Sequence, residues 1–299
     1  MELTQQKTRA ALLSIFSNSS LIIFKLFVGI ITGSVSVISE AVHSFSDLLA
    51  SFVAYFSVKK ASEPADADHE FGHGKYEDLS GLIEGVLIFL AAVYIVHEAA
   101  SKIFNSTNIH LETTPGIVVM LISTVVNIFV SRHLFKVGHK TESLALIADG
   151  EHLRTDVYTS AGILAALIII KITGFTILDP IIAILVALII LKVSLELCFR
   201  AVKNLLDTSL PKEEKIIIIE LLKHYVPGQI LDIQKIKTRR SGAERLVELI
   251  LTVHGNLTIR QGHDLCDKIE KDLMDSVGNI KVTIHLEPCS AECPVCTRQ

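Results

Sequence analysis

The sequence predicts a helical membrane domain of six spans followed by a water-soluble α+β domain with the element order αββαβ. Three observations carry this. Hydrophobic residues make up 50% of the 299 positions and charged residues only 20%. The apolar residues gather into runs long enough to cross a bilayer, which takes about 20 residues each. The charge is also uneven, with 32 charged residues in the first 200 positions and 28 in the last 99. Such a composition excludes a disordered chain, a coiled coil and a disulfide-stapled mini-protein. The runs exceed what the core of an ordinary soluble enzyme needs. A formal net charge of −4 leaves no electrostatic footprint for nucleic acid.

The spans are expected at about 11–33, 36–58, 80–103, 115–136, 144–171 and 177–199. Four are nearly pure, whereas 36–58 and 144–171 each contain acids and a histidine. Lys25 and Lys192 fall inside spans, where snorkelling or pairing accommodates them. Gly33-Ser34 makes a tight turn between the first two spans. Met1 to Ser20 is too polar for the apolar stretch of a cleavable signal. With the N-terminus inside, the inner loops collect Lys7, Arg9, Lys59, Lys60, Lys75, Arg132, Lys136, Lys140, Arg200 and Lys203. The outer loops collect Lys102 and Lys171. The excess of inner basic residues places both termini in the cytoplasm.

Residues 1–207 form the membrane domain and 208–299 the cytoplasmic one. Pro211-Lys-Glu-Glu opens a helix to about Lys223, with acids in its first turn. Ile233 to Arg239 and Arg245 to His254 read as strands around the Ser241-Gly242 turn. Thr258 to Asp275 reads as a helix with Ile259, Cys266, Ile269 and Leu273 on one side. Ile280, Val282, Ile284 and Leu286 alternate as a last strand. Helices on one sheet make a two-layer sandwich.

The chemistry lies in a doubled pattern. One span holds Glu40-Ala-Val-His43-Ser-Phe-Ser-Asp47, and another Asp149-Gly-Glu-His152-Leu-Arg-Thr-Asp156. Both read acid-x-x-His-x-x-x-Asp, and on a helix i, i+3 and i+7 share one face. Ser51 and Ser160 continue the two stripes. Each ionisable group in a bilayer costs roughly 2.5–3.5 kcal/mol, so such a set needs a compensating partner. Two imidazoles and two carboxylates suit a tetrahedral Zn²⁺ site, and two Asp charges neutralise a divalent ion. Asn18 and Asn127 are placed to orient these ligands. The rival accounts are a buried polar network that only holds the bundle together and a proton relay without metal.

Taken with Gly33-Ser-Val-Ser36, Pro64-Ala-Asp-Ala-Asp-His-Glu-Phe-Gly-His-Gly-Lys75 and Leu205-Leu-Asp207, this doubled motif resembles the cation diffusion facilitator family over nearly the whole chain. The resemblance implies a homodimeric antiporter that exports Zn²⁺ and related divalent ions from the cytoplasm in exchange for protons, here in a bacterial inner membrane. It implies a metallochaperone-like fold for the soluble domain and no organic cofactor. It makes His43, Asp47, His152 and Asp156 the transport site. Many bacterial members have Asp where this chain has His43, and the all His-Asp version resembles the zinc-selective branch. Fe²⁺, Mn²⁺, Co²⁺ and Cd²⁺ stay open as alternative substrates. Glu40, toward the outer side, and Asp149, toward the inner side, are assigned to the access paths.

The resemblance also makes Asp66, His69 and His73 a second zinc site in the loop, with Asp68 a substitute for Asp66. Lys75 and Asp207 match a charge pair that in relatives ties the membrane part to the soluble domain. Relatives carry histidines where this chain has Gln234 and Ile250, so a reduced site of His263, His285 and Glu287 is expected in the soluble domain. His254 and His224 read as surface histidines. Cys289, Cys293 and Cys296 form C-x-x-x-C-x-x-C, either a soft-metal site or a loose reduced tail. Cys198 and Cys266 read as packing residues.

Other classes fit less well. No span holds H-E-x-x-H and no Gly-x-Ser-x-Gly elbow occurs, which argues against an intramembrane enzyme. A channel needs a ring of like residues about a pore. A metal sensor needs binding without flux, which a transport assay separates from an antiporter.

Overall fold

The computed structural model describes residues 2–32, 35–105, 114–173 and 178–289. The chain divides into two compact units, Met1–Val202 and Lys203–Gln299. The turn expected at Gly33-Ser34 lies outside the described residues.

The first unit is helical: α1 Glu2–Thr32, α2 Val35–Ala61, α3 Lys75–Asn105, α4 Thr114–Thr141, α5 Leu144–Thr173 and α6 Leu178–Leu205. Four of these are long and apolar enough to cross a membrane by length and composition, over Leu3–Ile31, Lys75–Ser101, Ile117–Thr141 and Pro180–Leu205. They contain the four spans read from the sequence as the purest. The other two, α2 and α5, are 27 and 30 residues long and carry the doubled motif.

Two interior clusters hold this unit. One gathers Ala10, Ala11, Val58, Val130, Leu134, Leu146 and Leu153, and the other Ile88, Ala92, Leu144, Ala148, Ile190 and Leu197. Much of the remaining apolar surface points outward, including Phe16, Phe27, Phe56, Phe129 and Phe199. Helices approach closely where a side chain is missing. A Cβ on Gly85 of α3 would lie 2.7 Å from the Cys198 sulfur and 3.3 Å from its backbone nitrogen on α6. Cys198 is thus a packing residue, as its place in an apolar run implies, and Gly85 lets the two backbones meet. Lys25 is 5% exposed and donates to Ser44 Oγ at 2.7 Å, so it pairs inside the bundle. Lys192 instead faces outward, 3.8 Å from Glu196 one turn on.

The second unit comprises α7 Lys212–Lys223, β1 Asp232–Ser241, β2 Glu244–Val253, α8 Ile259–Val277 and β3 Ile280–Pro288. The sheet order is β1-β2-β3. β1 and β2 are antiparallel, joined where Gly242 takes φ +58°, and β3 lies parallel to β2 after the α8 crossover. Strand β2 is central, and its Val247, Leu249, Leu251 and Val253 alternate into the core against Ile218 and Leu222 of α7 and Leu265, Ile269 and Leu273 of α8. The buried line of α8 is Gly262, Leu265, Ile269 and Leu273. That corrects the face read from sequence: Ile259, in the first turn, is 94% exposed. Cys266 follows Leu265 by one position, about 100° around the helix, and is only half-buried. Helix α8 opens with a capping box, in which Thr258 Oγ1 accepts from the Gln261 amide at 3.3 Å and the Gln261 side chain accepts from the Thr258 amide at 2.9 Å.

Candidate metal centres

Helices α2 and α5 pack side by side, and the spacing of their motifs directs the polar stripes inward. Asp47 Oδ1 lies 3.2 Å from His152 Nε2. One ligand atom from each of Asp47, His152 and Asp156 falls within 4.8 Å of the others. Asp47 is buried, and the other two are half-buried. Position 43 lies on α2 one turn before Asp47, but the side chains of His43 and Glu40 lie outside the described residues. Nitrogen and carboxylate oxygen donors at these separations suit a small divalent cation.

Behind the ligands sits a hydroxyl network. Asn18 of α1 donates to Ser51 Oγ at 2.8 Å and to the Asp47 carbonyl at 3.4 Å. It therefore steadies the α2 backbone rather than a ligand side chain. Ser51 also meets Ser14 Oγ at 2.9 Å and Asp149 Oδ1 at 3.1 Å. Asp149 is fully buried in this conformation. Asn127 is 7% exposed, and among the described residues its Oδ1 has no hydrogen-bond partner. Sequence reasoning missed Glu84 of α3. It is fully buried, accepts from Ser80 Oγ at 3.2 Å, and is electrostatically coupled to Asp149 and His152. The signal was an acid in the middle of a span.

The second group lies in the loop between α2 and α3. One ligand atom from each of Asp66, His69 and His73 falls within 4.8 Å of the others. The loop is closed locally: Asp66 Oδ1 accepts the amides of Asp68 at 3.1 Å and His69 at 2.7 Å, and Gly72 takes φ +83°. The His69 amide, above all, holds the Asp66 carboxyl below its ordinary range. His73 Nδ1 lies 3.1 Å from the Pro64 carbonyl, which can only accept, so Nδ1 carries the hydrogen. Its Nε2 lies 3.2 Å from Asp66 Oδ2. Asp66, not Asp68, supplies the carboxylate.

The soluble unit does not converge in this way. His263 faces Asp267 along α8 at 3.7 Å, and His285 faces Glu287 along β3 at 3.8 Å. Among the described residues, His263, His285 and Glu287 form no three-ligand group within 4.8 Å. Both histidines are exposed, so the reduced site read from sequence is not assembled within one chain. Asp207 accepts from Arg239 at 3.2 Å, and Lys75 is the first residue of α3. Cys289 donates its amide to the Val253 carbonyl at 2.9 Å. Cys293 and Cys296 lie outside the described residues.

A family model described as the cation efflux transmembrane domain matches residues 11–206, and one described as the cytoplasmic domain of cation efflux proteins matches residues 210–289. An uncharacterized transporter of Synechocystis sp. is 34% identical over 278 residues, which covers 93% of this chain and 89% of that protein. The cation-efflux pump FieF of Citrobacter koseri is 32% identical over 283 residues, covering 95% and 93%. A solved structure of CzrB is 34% identical over 27% of this chain and 99% of its own, with a TM-score of 0.26 that is too low to bear on the arrangement.

Proposed function

The chain belongs to the cation diffusion facilitator family of cation-efflux transporters, and we propose that it exports Zn²⁺ from the cytoplasm in exchange for protons through a site of His43, Asp47, His152 and Asp156. It is an integral membrane transporter and not an enzyme. The observation that carries the zinc reading is the convergence of Asp47, His152 and Asp156 between α2 and α5. His43, one helical turn from Asp47, completes a tetrahedral set of two nitrogens and two oxygens. That donor set favours Zn²⁺ over the harder Mn²⁺.

Exchange follows from the ligands' chemistry. Imidazole takes up protons in the physiological pH range, and metal binds its deprotonated form. A site that alternates its exposure therefore trades metal on one side for protons on the other. Rocking of helices about a fixed midplane site is the generic geometry. On the orientation proposed here, with both termini in the cytoplasm of a bacterial inner membrane, Glu40 lies on the outer path and Asp149 on the inner one. Asp66, His69 and His73 form a second zinc site on the cytoplasmic side. The soluble unit pairs two copies, and the exposed His263 and His285 with the half-buried Glu287 hold a metal there. Cys289, Cys293 and Cys296 bind a soft ion.

The test is zinc flux in proteoliposomes with an imposed pH gradient, for the wild type, His43→Ala and Asp156→Ala. Uptake that dissipates the gradient and is lost in both variants is expected. Wild-type protein that binds zinc but moves none would make a sensor the better account. Variants that still transport would place the site elsewhere.

A further inference from the structure

We propose that the seam between α3 and α5 is the cytoplasmic way in to the transport site, with Glu84 and Asp149 receiving the divalent cation and the Lys7–Glu77 ion pair gating the mouth. The inference rests on the transport reading and its orientation. It starts from a line of buried polar groups that a helical bundle would not otherwise keep. Glu77, Ser80 and Glu84 occupy one face of α3, and their exposures are 2%, 0% and 0%. Asp149 of α5 and Ser51 of α2 are both 0% exposed. Seven residues separate Glu77 from Glu84, about 10 Å along the axis.

The line is continuous. At the start of α3, Lys7 Nζ of α1 donates to Glu77 Oε1 at 2.6 Å. One turn further, Ser80 donates to Glu84 Oε1 at 3.2 Å. Helix α3 packs against α5, and on α5 the Asp149 Oδ1 accepts from Ser51. Ser51 in turn meets the Asp47 carbonyl at 3.2 Å, beside the metal ligands. The line thus runs from the end of the bundle to the transport site.

The decisive observation is what the acids lack. Among the described residues, Glu84 Oε2 and Asp149 Oδ2 are buried without a hydrogen-bond partner. Structural glue satisfies its polar atoms, because an unsatisfied buried acceptor costs about 1–3 kcal/mol. Two carboxylates with free oxygens, flanked by serine hydroxyls, instead offer an oxygen-only cradle for a divalent cation. With two carboxylates and no imidazole of its own, this cradle is a weaker host for Zn²⁺ than the nitrogen-bearing site beyond it, as an on-path station must be. At the mouth, Lys7 places a positive charge where a cation would enter. Its pairing with Glu77 closes the line in this conformation, and its release would expose an acid to incoming metal.

The experiment is zinc uptake into everted membrane vesicles, whose cytoplasmic face is outward, measured as initial rates across zinc concentrations. Glu84→Gln should lower kcat/KM about tenfold, the scale of lost electrostatic focusing, while kcat at saturating zinc holds. Glu84→Asp should recover most of it. Lys7→Gln should raise kcat/KM about fivefold by weakening the gate. Purified Glu84→Gln should keep the tightly bound zinc of the α2–α5 site and lose only the weaker binding of the cradle. The proposal fails if Glu84→Gln keeps the wild-type kcat/KM, or if kcat and the tightly bound zinc fall together as for a structural prop. It also fails if the variant changes only the pH dependence of uptake, which would make the pair a proton carrier. Failure of the transport reading is seen separately, as a wild type that takes up no zinc.

Discussion

Single side chains in this protein are set by which acceptor they face. Asp66 is the clearest case, since one carboxylate oxygen closes the loop on the His69 amide while the other is turned to His73 Nε2. Asp66→Ala should therefore remove one zinc ion per chain in isothermal titration of the full-length protein and leave binding at the α2–α5 site intact. Loss of both sites together would contradict two separate centres. The acid side has a sign as well. A carboxyl whose folded value is depressed contributes order above its ordinary pKa of 3.8 and loses it as pH falls through the folded value. In metal-free protein, the Asp66 carboxyl carbon resonance should hold steady as pH falls toward 3.8 and move only below it. The intramembrane acids of α2 and α5 were legible in the sequence because spacing and residue type together mark them, and the loop histidines because of the family resemblance. Glu84 was not, because α3 carries no acid-x-x-His-x-x-x-Asp pattern to mark it.

Helices and strands follow local pattern, but their contacts do not. The α7, β1, β2, α8 and β3 boundaries fall within about three residues of those read from periodicity and turn residues. The face of α8 did not follow, because the sheet buries Gly262 and Leu265 and leaves Ile259 in solvent. Thr258→Ala should speed hydrogen exchange in the first turn of α8 about fivefold, since it removes both halves of the capping box. Unchanged exchange would mean that packing alone holds that end. In the membrane unit, Gly85→Leu should cost about 1–3 kcal/mol, read by thermal unfolding in detergent, because the new side chain meets the Cys198 backbone, which cannot step aside. A silent substitution would show that α3 and α6 can separate freely.

At the scale of the whole molecule, two units with separate cores share one chain. Leu249 is 1% exposed at the centre of the second core. Leu249→Ala should cost that unit about 2–5 kcal/mol and split calorimetric unfolding into two transitions, with zinc affinity of the intramembrane site unchanged. A single transition, shifted as a whole, would show the units folding together.

Sequence by itself determined the fold class, the αββαβ order and the family. It also marked the acid-and-histidine stripes on α2 and α5. The fold class, the element order and the stripes follow from composition, periodicity and spacing, which act along the chain and need no knowledge of neighbours, and the family follows from the resemblance its motifs carry. Only the tertiary structure decided that Asp66 rather than Asp68 joins the loop histidines, that Asn18 steadies backbone rather than ligand, and that His263 lies apart from His285 and Glu287. It alone showed Glu84 fully buried on α3, with Ser80 donating to it. Each depends on which surfaces meet across helices, turns and strands distant in sequence. That choice is made by packing volume and by the need of buried polar atoms for partners, not by any local pattern.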